Sequence, residues 1–226
     1  MKKLIYLLAG AILTGGCTKK VDSNDLKDDV PYYQVYEVAY NKTDNSTNAT
    51  AGFQVRDKSG AKVLLSDGAS VRANNMTANT SSIDKTRYTW ALNGMPDVDF
   101  ALAKNSGDTI TNVVLKSDIG DVEIVGGLPS SVSKSNGFDF SWAGAALAGQ
   151  ESMTVSVVSG IATDILTRSV TNNTVTITAD DLKNCPTGNI SVVLTRTKDM
   201  PVKKEDGGAG GSIQVRLTVS AKTVLN

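Results

Sequence analysis

The amino-acid sequence predicts an all-β protein, built as two tandem antiparallel β-sandwiches behind an export signal. Three observations carry this expectation. From Pro31 almost to the C-terminus, β-branched and other apolar residues alternate with polar ones at a period of two, the pattern of strands with one buried and one wet face. Turn formers separate these runs: Ser59-Gly60, Asp67-Gly68, Asn93-Gly94 and Ser106-Gly107-Asp108. Asn-Gly and Asp-Gly suit tight hairpins because type I′ turns need positive φ at both central positions. Helical character is confined to Ala179–Asn184, about one turn.

Taken in order, the first half predicts strands at Tyr32–Tyr40, Ala51–Arg56, Ala61–Leu65, Ala69–Asn74, Arg87–Leu92, Val98–Ala103 and Thr109–Lys116. The Asn/Thr-rich segments Asn41–Thr50 and Asn74–Ser82 read as solvated loops. The second half predicts strands at Asp121–Val125, Phe138–Trp142, Met153–Val158, Asp164–Val170, Thr174–Thr178, Asn189–Arg196 and Ser212–Val219. Its alternation is the cleaner one: Ile213, Val215, Leu217 and Val219 share a face opposite Gln214, Arg216 and Thr218. Between the last two strands, Thr197–Gly211 reads as a long, charged, glycine-rich loop. Its length is not explained by stability, since doubling a loop costs only about 0.6 kcal/mol. Met200, Pro201, Val202, Lys203 and Lys204 within it are the candidate partner-binding residues, and replacing the loop with a short turn is expected to leave stability intact.

The N-terminal residues carry a targeting signature. Lys2 and Lys3 precede an apolar run, Leu4–Leu13, and Thr14, Gly15 and Gly16 lead into Cys17. A run of about ten apolar residues is half of what spans a bilayer, so residues 1–16 read as a signal peptide and not as a transmembrane helix. Leu13-Thr14-Gly15-Gly16-Cys17 resembles the lipobox of bacterial lipoproteins, with Thr14 where leucine is usual. That resemblance implies cleavage before Cys17, a diacylglyceryl group on its sulfur with further acylation (palmitate or similar), and attachment at the outer membrane. Residues 17–30 then form the lipidated cysteine and a polar, flexible tether. The only other cysteine is Cys185, so the lipidated chain is expected to hold a free thiol and no internal disulfide.

About seven short strands in each half, residues 31–118 and 119–226, resemble immunoglobulin-like or fibronectin-like sandwiches in tandem, without the immunoglobulin disulfide; a single larger sandwich or jelly roll is the alternative. The whole resembles Bacteroidetes-type surface lipoproteins with Ig-like domains. Architecture of this kind implies no particular activity.

Composition narrows the function classes. With 23 basic and 23 acidic side chains the net charge is zero, which gives no electrostatic case for a nucleic-acid partner. There is no histidine, so histidine-based triads and histidine-ligated metals are out of reach. Asp97 and Asp99, two apart on one strand face, and the tether aspartates read as solvated charge. Ser131-Val132-Ser133-Lys134 matches S-x-x-K by chance, since it follows Pro129 and no K-T-G comes after it. Trp90 and Trp142 lie in apolar stripes and read as core, whereas Tyr32, Tyr33, Tyr36 and Tyr40 occupy both faces of one strand, so at least one should reach solvent. No catalytic residue, metal ligand or cofactor motif is identified. The expected role is a non-catalytic envelope protein for adhesion, structure or interaction, partnered by the membrane and by another envelope protein; the alternative is a carbohydrate-binding lipoprotein of a glycan-uptake system, recognising a glycan.

Overall fold

The structure, a computed structural model, describes residues 19–80, 83–159 and 166–226. The signal segment, Cys17 and the first two residues of the expected strand at 164–170 lie outside the described residues.

Among the described residues the chain is all-β, and none of the sheets there closes into a barrel. Strands of the first half are β1 (Lys20–Asp22), β2 (Tyr32–Asn41), β3 (Ser46–Val55), β4 (Lys62–Leu64), β5 (Ser70–Ala73), β6 (Met76–Thr77), β7 (Asn79–Thr80), β8 (Arg87–Asn93), β9 (Val98–Ala103) and β10 (Thr109–Val114). Those of the second half are β11 (Val122–Val125), β12 (Ser131–Val132), β13 (Phe138–Gly144), β14 (Glu151–Ser159), β15 (Leu166–Ser169), β16 (Thr174–Ile177), β17 (Gly188–Pro201) and β18 (Gly211–Leu225). The expected helical turn is α1 (Ala179–Leu182), which Thr178 caps by accepting from the Asp181 amide.

Both halves contribute to one large mixed sheet, in the order β1-β4-β3-β2-β18-β17-β14-β15. Its centre is a parallel pair: β2 runs beside β18 from Gln34↔Gly211 to Asn41↔Thr218. The inward residues of the two strands fall in step, with Tyr36 beside Ile213, Val38 beside Val215 and Tyr40 beside Leu217. A slip of one residue would turn all of them outward, so the apolar alternation itself fixes this register. The expected purely antiparallel arrangement is therefore corrected: β1–β4, β12–β18 and β2–β18 are parallel. Parallel pairing between segments so distant in sequence leaves no local signal to read.

Two smaller sheets cover the inward face. One is β10-β9-β5-β6 and the other β11-β13-β16. Beneath the first, Tyr36 stacks on Phe100 at 4.5 Å, and Trp90 meets Phe100 edge-on at 5.7 Å. Beneath the second lie Phe140, Trp142, Val175 and Ile177, with Met153, Val155, Val192 and Leu194 from the main sheet, all buried. The two regions form one continuous cluster. The Asp67-Gly68 and Asn93-Gly94 turns, expected as hairpins, instead carry the chain from the main sheet to the covering sheet, from β4 to β5 and from β8 to β9.

Residues 19–30, expected as a free tether, are docked. β1 pairs with β4 from Lys20↔Lys62 to Asp22↔Leu64, the Lys62 amide donates to the Lys19 carbonyl, and Ser23 is buried. Short polar side chains bonding to nearby backbone do this work: Asp22 accepts from the Asn24 amide, and the Ser66 amide donates to the Ser23 hydroxyl.

Candidate interaction surface

The segment singled out as a partner-binding loop is partly strand and partly strap. Met200 and Pro201 belong to β17, paired with Ile213 and Ser212 of β18. Met200 packs against the core and Val202 is buried in it. Pro201, Lys203 and Lys204 are exposed, and the Lys203 ammonium lies 3.3 Å from the Asp118 carboxylate.

The backbone of this strap is tied down by buried polar groups of the first half. Asn112, fully buried on β10, accepts from the Lys203 and Lys204 amides at 2.8 and 2.9 Å. Its own amide donates to the Lys204 carbonyl at 2.9 Å and to Gln34 Oε1 at 3.0 Å. Gln34, also fully buried, donates to the same Lys204 carbonyl, and the Tyr36 hydroxyl donates to Gln34 Oε1 at 2.9 Å. Desolvation pushes the Tyr36 phenol well above its ordinary pKa, so it remains the neutral donor that this network requires.

Further along, Asp206 accepts from the Tyr32 amide at 2.7 Å and pairs with the Lys104 ammonium at 3.0 Å. Lys104 also donates to the Val30 carbonyl and lies 4.7 Å from the centre of the Tyr32 ring. Each of these buried polar groups has partners, as burial demands. The geometry thus spends the middle of the expected loop on holding β17 and β18 to β2 and β10. The expectation that a short turn could replace it without cost is corrected, because Val202, Asp206 and the Lys203–Lys204 backbone are all engaged inside the fold.

A second buried cluster lies near residues 118–122, where the two halves meet. Arg196, almost fully buried on β17, donates to the carbonyls of Asp121, Ala145 and Ala146 and to the Glu151 carboxylate. Glu151 accepts in turn from the Ala148 and Gly120 amides. Burial alone would raise the Glu151 carboxyl, yet the hydrogen bond from Arg196 and the two amides hold it below its ordinary value. Gly120 leaves room for this group: a Cβ there would run into the Arg196 guanidinium, which would have to shift.

The remaining candidates are distributed through the fold. Trp90 and Trp142 are buried, at 3% and 4% exposure, and their indole N–H groups donate to the Met76 and Asn172 carbonyls. Tyr32, Tyr36 and Tyr40 are buried, and Tyr33 is half-buried on the opposite face of β2. Asp97 and Asp99 are exposed on β9 and its approach, and Asp97 accepts from the Lys116 amide. Lys134 donates to the Cys185 carbonyl at 2.8 Å. No cluster of three or more metal-ligating side chains occurs among the described residues, and no described helix is long and apolar enough to cross a membrane.

The outer face of the main sheet, opposite the core, is polar. Glu37 lies at its centre between Arg87 and Arg216. A groove of about 250 Å³ runs over Gly52, where the missing side chain lowers the floor between Val35, Gln54 and Arg87. Sequence reading did not mark this face, because Thr, Ser, Glu and Arg alternating with apolar residues is what any wet sheet face shows. In comparisons with known proteins, no family model matches the chain and no curated protein matches its sequence.

Proposed function

We propose that this chain is a non-catalytic lipoprotein of a bacterial envelope, held at the outer membrane by acyl chains on Cys17, whose rigid β-body serves adhesion or assembly with another envelope component. One observation carries the reading. The first described strand, β1, starts at Lys20, three residues after the cysteine, and is part of the main sheet. Three residues span at most about 10 Å, so an acyl group on Cys17 would hold that sheet edge close to a bilayer without any described strand being given up. Two or more acyl chains make such attachment stable, where one would leave it reversible.

The alternative, a glycan-binding lipoprotein, needs an exposed aromatic platform. Both tryptophans are instead packed in the core, which weighs for interaction through the polar outer face.

The test is expression of the full chain and of Cys17→Ser in a bacterium with two membranes, followed by fractionation with a high-salt wash. The parent chain should stay with the membranes and the serine variant should be released in folded form. A serine variant that still sediments with washed membranes would remove the anchor from the account.

A further inference from the structure

The docking of Lys19 and Lys20 against β4 points to the surface that would face the lipid. Lys19 is two residues from Cys17, so it can lie at most about 7 Å from it. That is comparable to the depth of one headgroup layer, about 5–7 Å, and shorter than the Debye length of about 8 Å at physiological salt. With Lys20 already paired to Lys62 in the sheet, the surface around β1 would meet the bilayer whenever Cys17 is anchored in it.

That surface has the composition a bilayer interface selects. Ile83 is 91% exposed, the most exposed of the large apolar side chains among the described residues. It borders a shallow groove of about 270 Å³ together with Lys20, Val21, Leu64 and Lys85. Lys19, Lys20 and Lys85 are all exposed, and Lys62 adjoins them through Asp84. The two carboxylates here are engaged within the protein: Asp22 with the Ser66 hydroxyl and the Asn24 amide, Asp84 with Thr86, Lys20 and Lys62. Four lysines face these two carboxylates at the rim of the groove, which is cationic although the whole chain is neutral; the next acidic groups on the bordering segments are Asp25 and Asp67, the latter bonded to Asn24.

We propose that this edge of the main sheet is a membrane-docking surface, with Ile83 seated among the headgroups and Lys19, Lys20 and Lys85 on the phosphates of anionic lipids. The inference rests on the lipoprotein reading and adds an orientation to it. Each lysine near an anionic surface contributes roughly fivefold to the partition, and the apolar stems of the lysines can lie along the interface while their ammonium groups stay with the phosphates. The body would then stand on its β1 edge. β15, seven strand spacings across the sheet, would be held up to about 34 Å away.

The test uses the full lipidated chain on vesicles of phosphatidylethanolamine and phosphatidylglycerol. An environment-sensitive fluorophore is placed at Ile83→Cys, or at Ser169→Cys on β15; Cys185 is fully buried and stays unlabelled in the native protein. The label at position 83 should be quenched by nitroxide lipids and shielded from aqueous iodide, and the label at position 169 should behave in the opposite way. Lys19→Glu with Lys85→Glu should lower the lipid-quenched fraction at position 83 at least about fivefold. A lipidated, vesicle-bound chain whose position 83 stays open to iodide would overturn the docking surface and leave the anchor standing. A chain whose mass shows no lipid would overturn the anchor, and the docking surface with it.

Discussion

Asn112→Ala is the substitution that best probes the buried strap. The amide makes four hydrogen bonds, two from the Lys203 and Lys204 backbone and two to Gln34 and the Lys204 carbonyl. These losses are not equal. Gln34 Oε1 keeps the Tyr36 hydroxyl and the Lys204 carbonyl keeps Gln34 Nε2, whereas the two strap amides lose the acceptor that Asn112 supplies. Counting the equivalent of two buried hydrogen bonds at about 1 kcal/mol each, with a small cavity added, gives a loss of about 2–3 kcal/mol. For a chain of this length that lowers the melting temperature by roughly 4–8 °C. Urea and thermal unfolding followed by circular dichroism measure both. Asn112→Asp keeps the acceptor for the strap amides but turns a second oxygen toward two acceptors, so it should destabilise at least as much as alanine. If both variants unfold within about 0.5 kcal/mol of the parent, the strap is not held by Asn112 and the reasoning fails.

Arg196→Met should cost about 3–5 kcal/mol by stranding the buried Glu151, while Arg196→Met with Glu151→Leu should recover much of that loss; equal stability of the single and double variants in urea would contradict the pairing. Gly120→Ala should destabilise by a similar route, through the close approach of Arg196, and a thermal melt unchanged from the parent would show that the guanidinium can move aside. Acid should weaken the fold because Glu151 and Asp84 have depressed carboxyl pKa values: Glu151 through the Arg196 hydrogen bond, against burial, and Asp84 chiefly through the Thr86 hydroxyl. Their contribution is present above the unfolded carboxyl value near pH 4 and is lost as pH falls through the lower folded values, so the urea midpoint should drop between about pH 5 and pH 3. A midpoint unchanged over that range would contradict it. In the native lipidated chain the Cys185 thiol, fully buried and raised by desolvation, should resist aromatic disulfide reagents and react only on unfolding.

The period-two pattern made the strands legible, and their inward faces with them: Val98–Ala103 is observed over the range that the sequence predicts, and Ile213, Val215 and Leu217 point inward as read. Pairing was not legible. Nothing local in Tyr32–Asn41 says that its neighbour is the last strand of the chain. Turn chemistry was visible but ambiguous, since Asp67-Gly68 crosses between layers while the tight β5–β6 turn is made by Asn74-Asn75 in a segment read as loop. Two consecutive asparagines at positive φ could have marked that hairpin, because asparagine tolerates the left-handed region that a type I′ turn needs. The strap was misread for a different reason. A charged, glycine-rich stretch reads as solvated, and only the fold brings Asn112 and Lys104 to the Lys204 carbonyl and Asp206. Ile83 lies beside a polar run and carries no periodic signal; its exposure and its nearness to Lys20 arise only in the fold.

The lipid on Cys17 is the claim on which the functional account stands, and intact-mass spectrometry of the mature chain, extracted from the membranes of a lipoprotein-processing bacterium, tests it most directly. The account predicts a chain that begins at Cys17, heavier than its amino acids by a diacylglyceryl group with or without a further acyl chain, and a modified N-terminal peptide on digestion. A mature chain that begins elsewhere, or one in which Cys17 carries a free thiol, would contradict it.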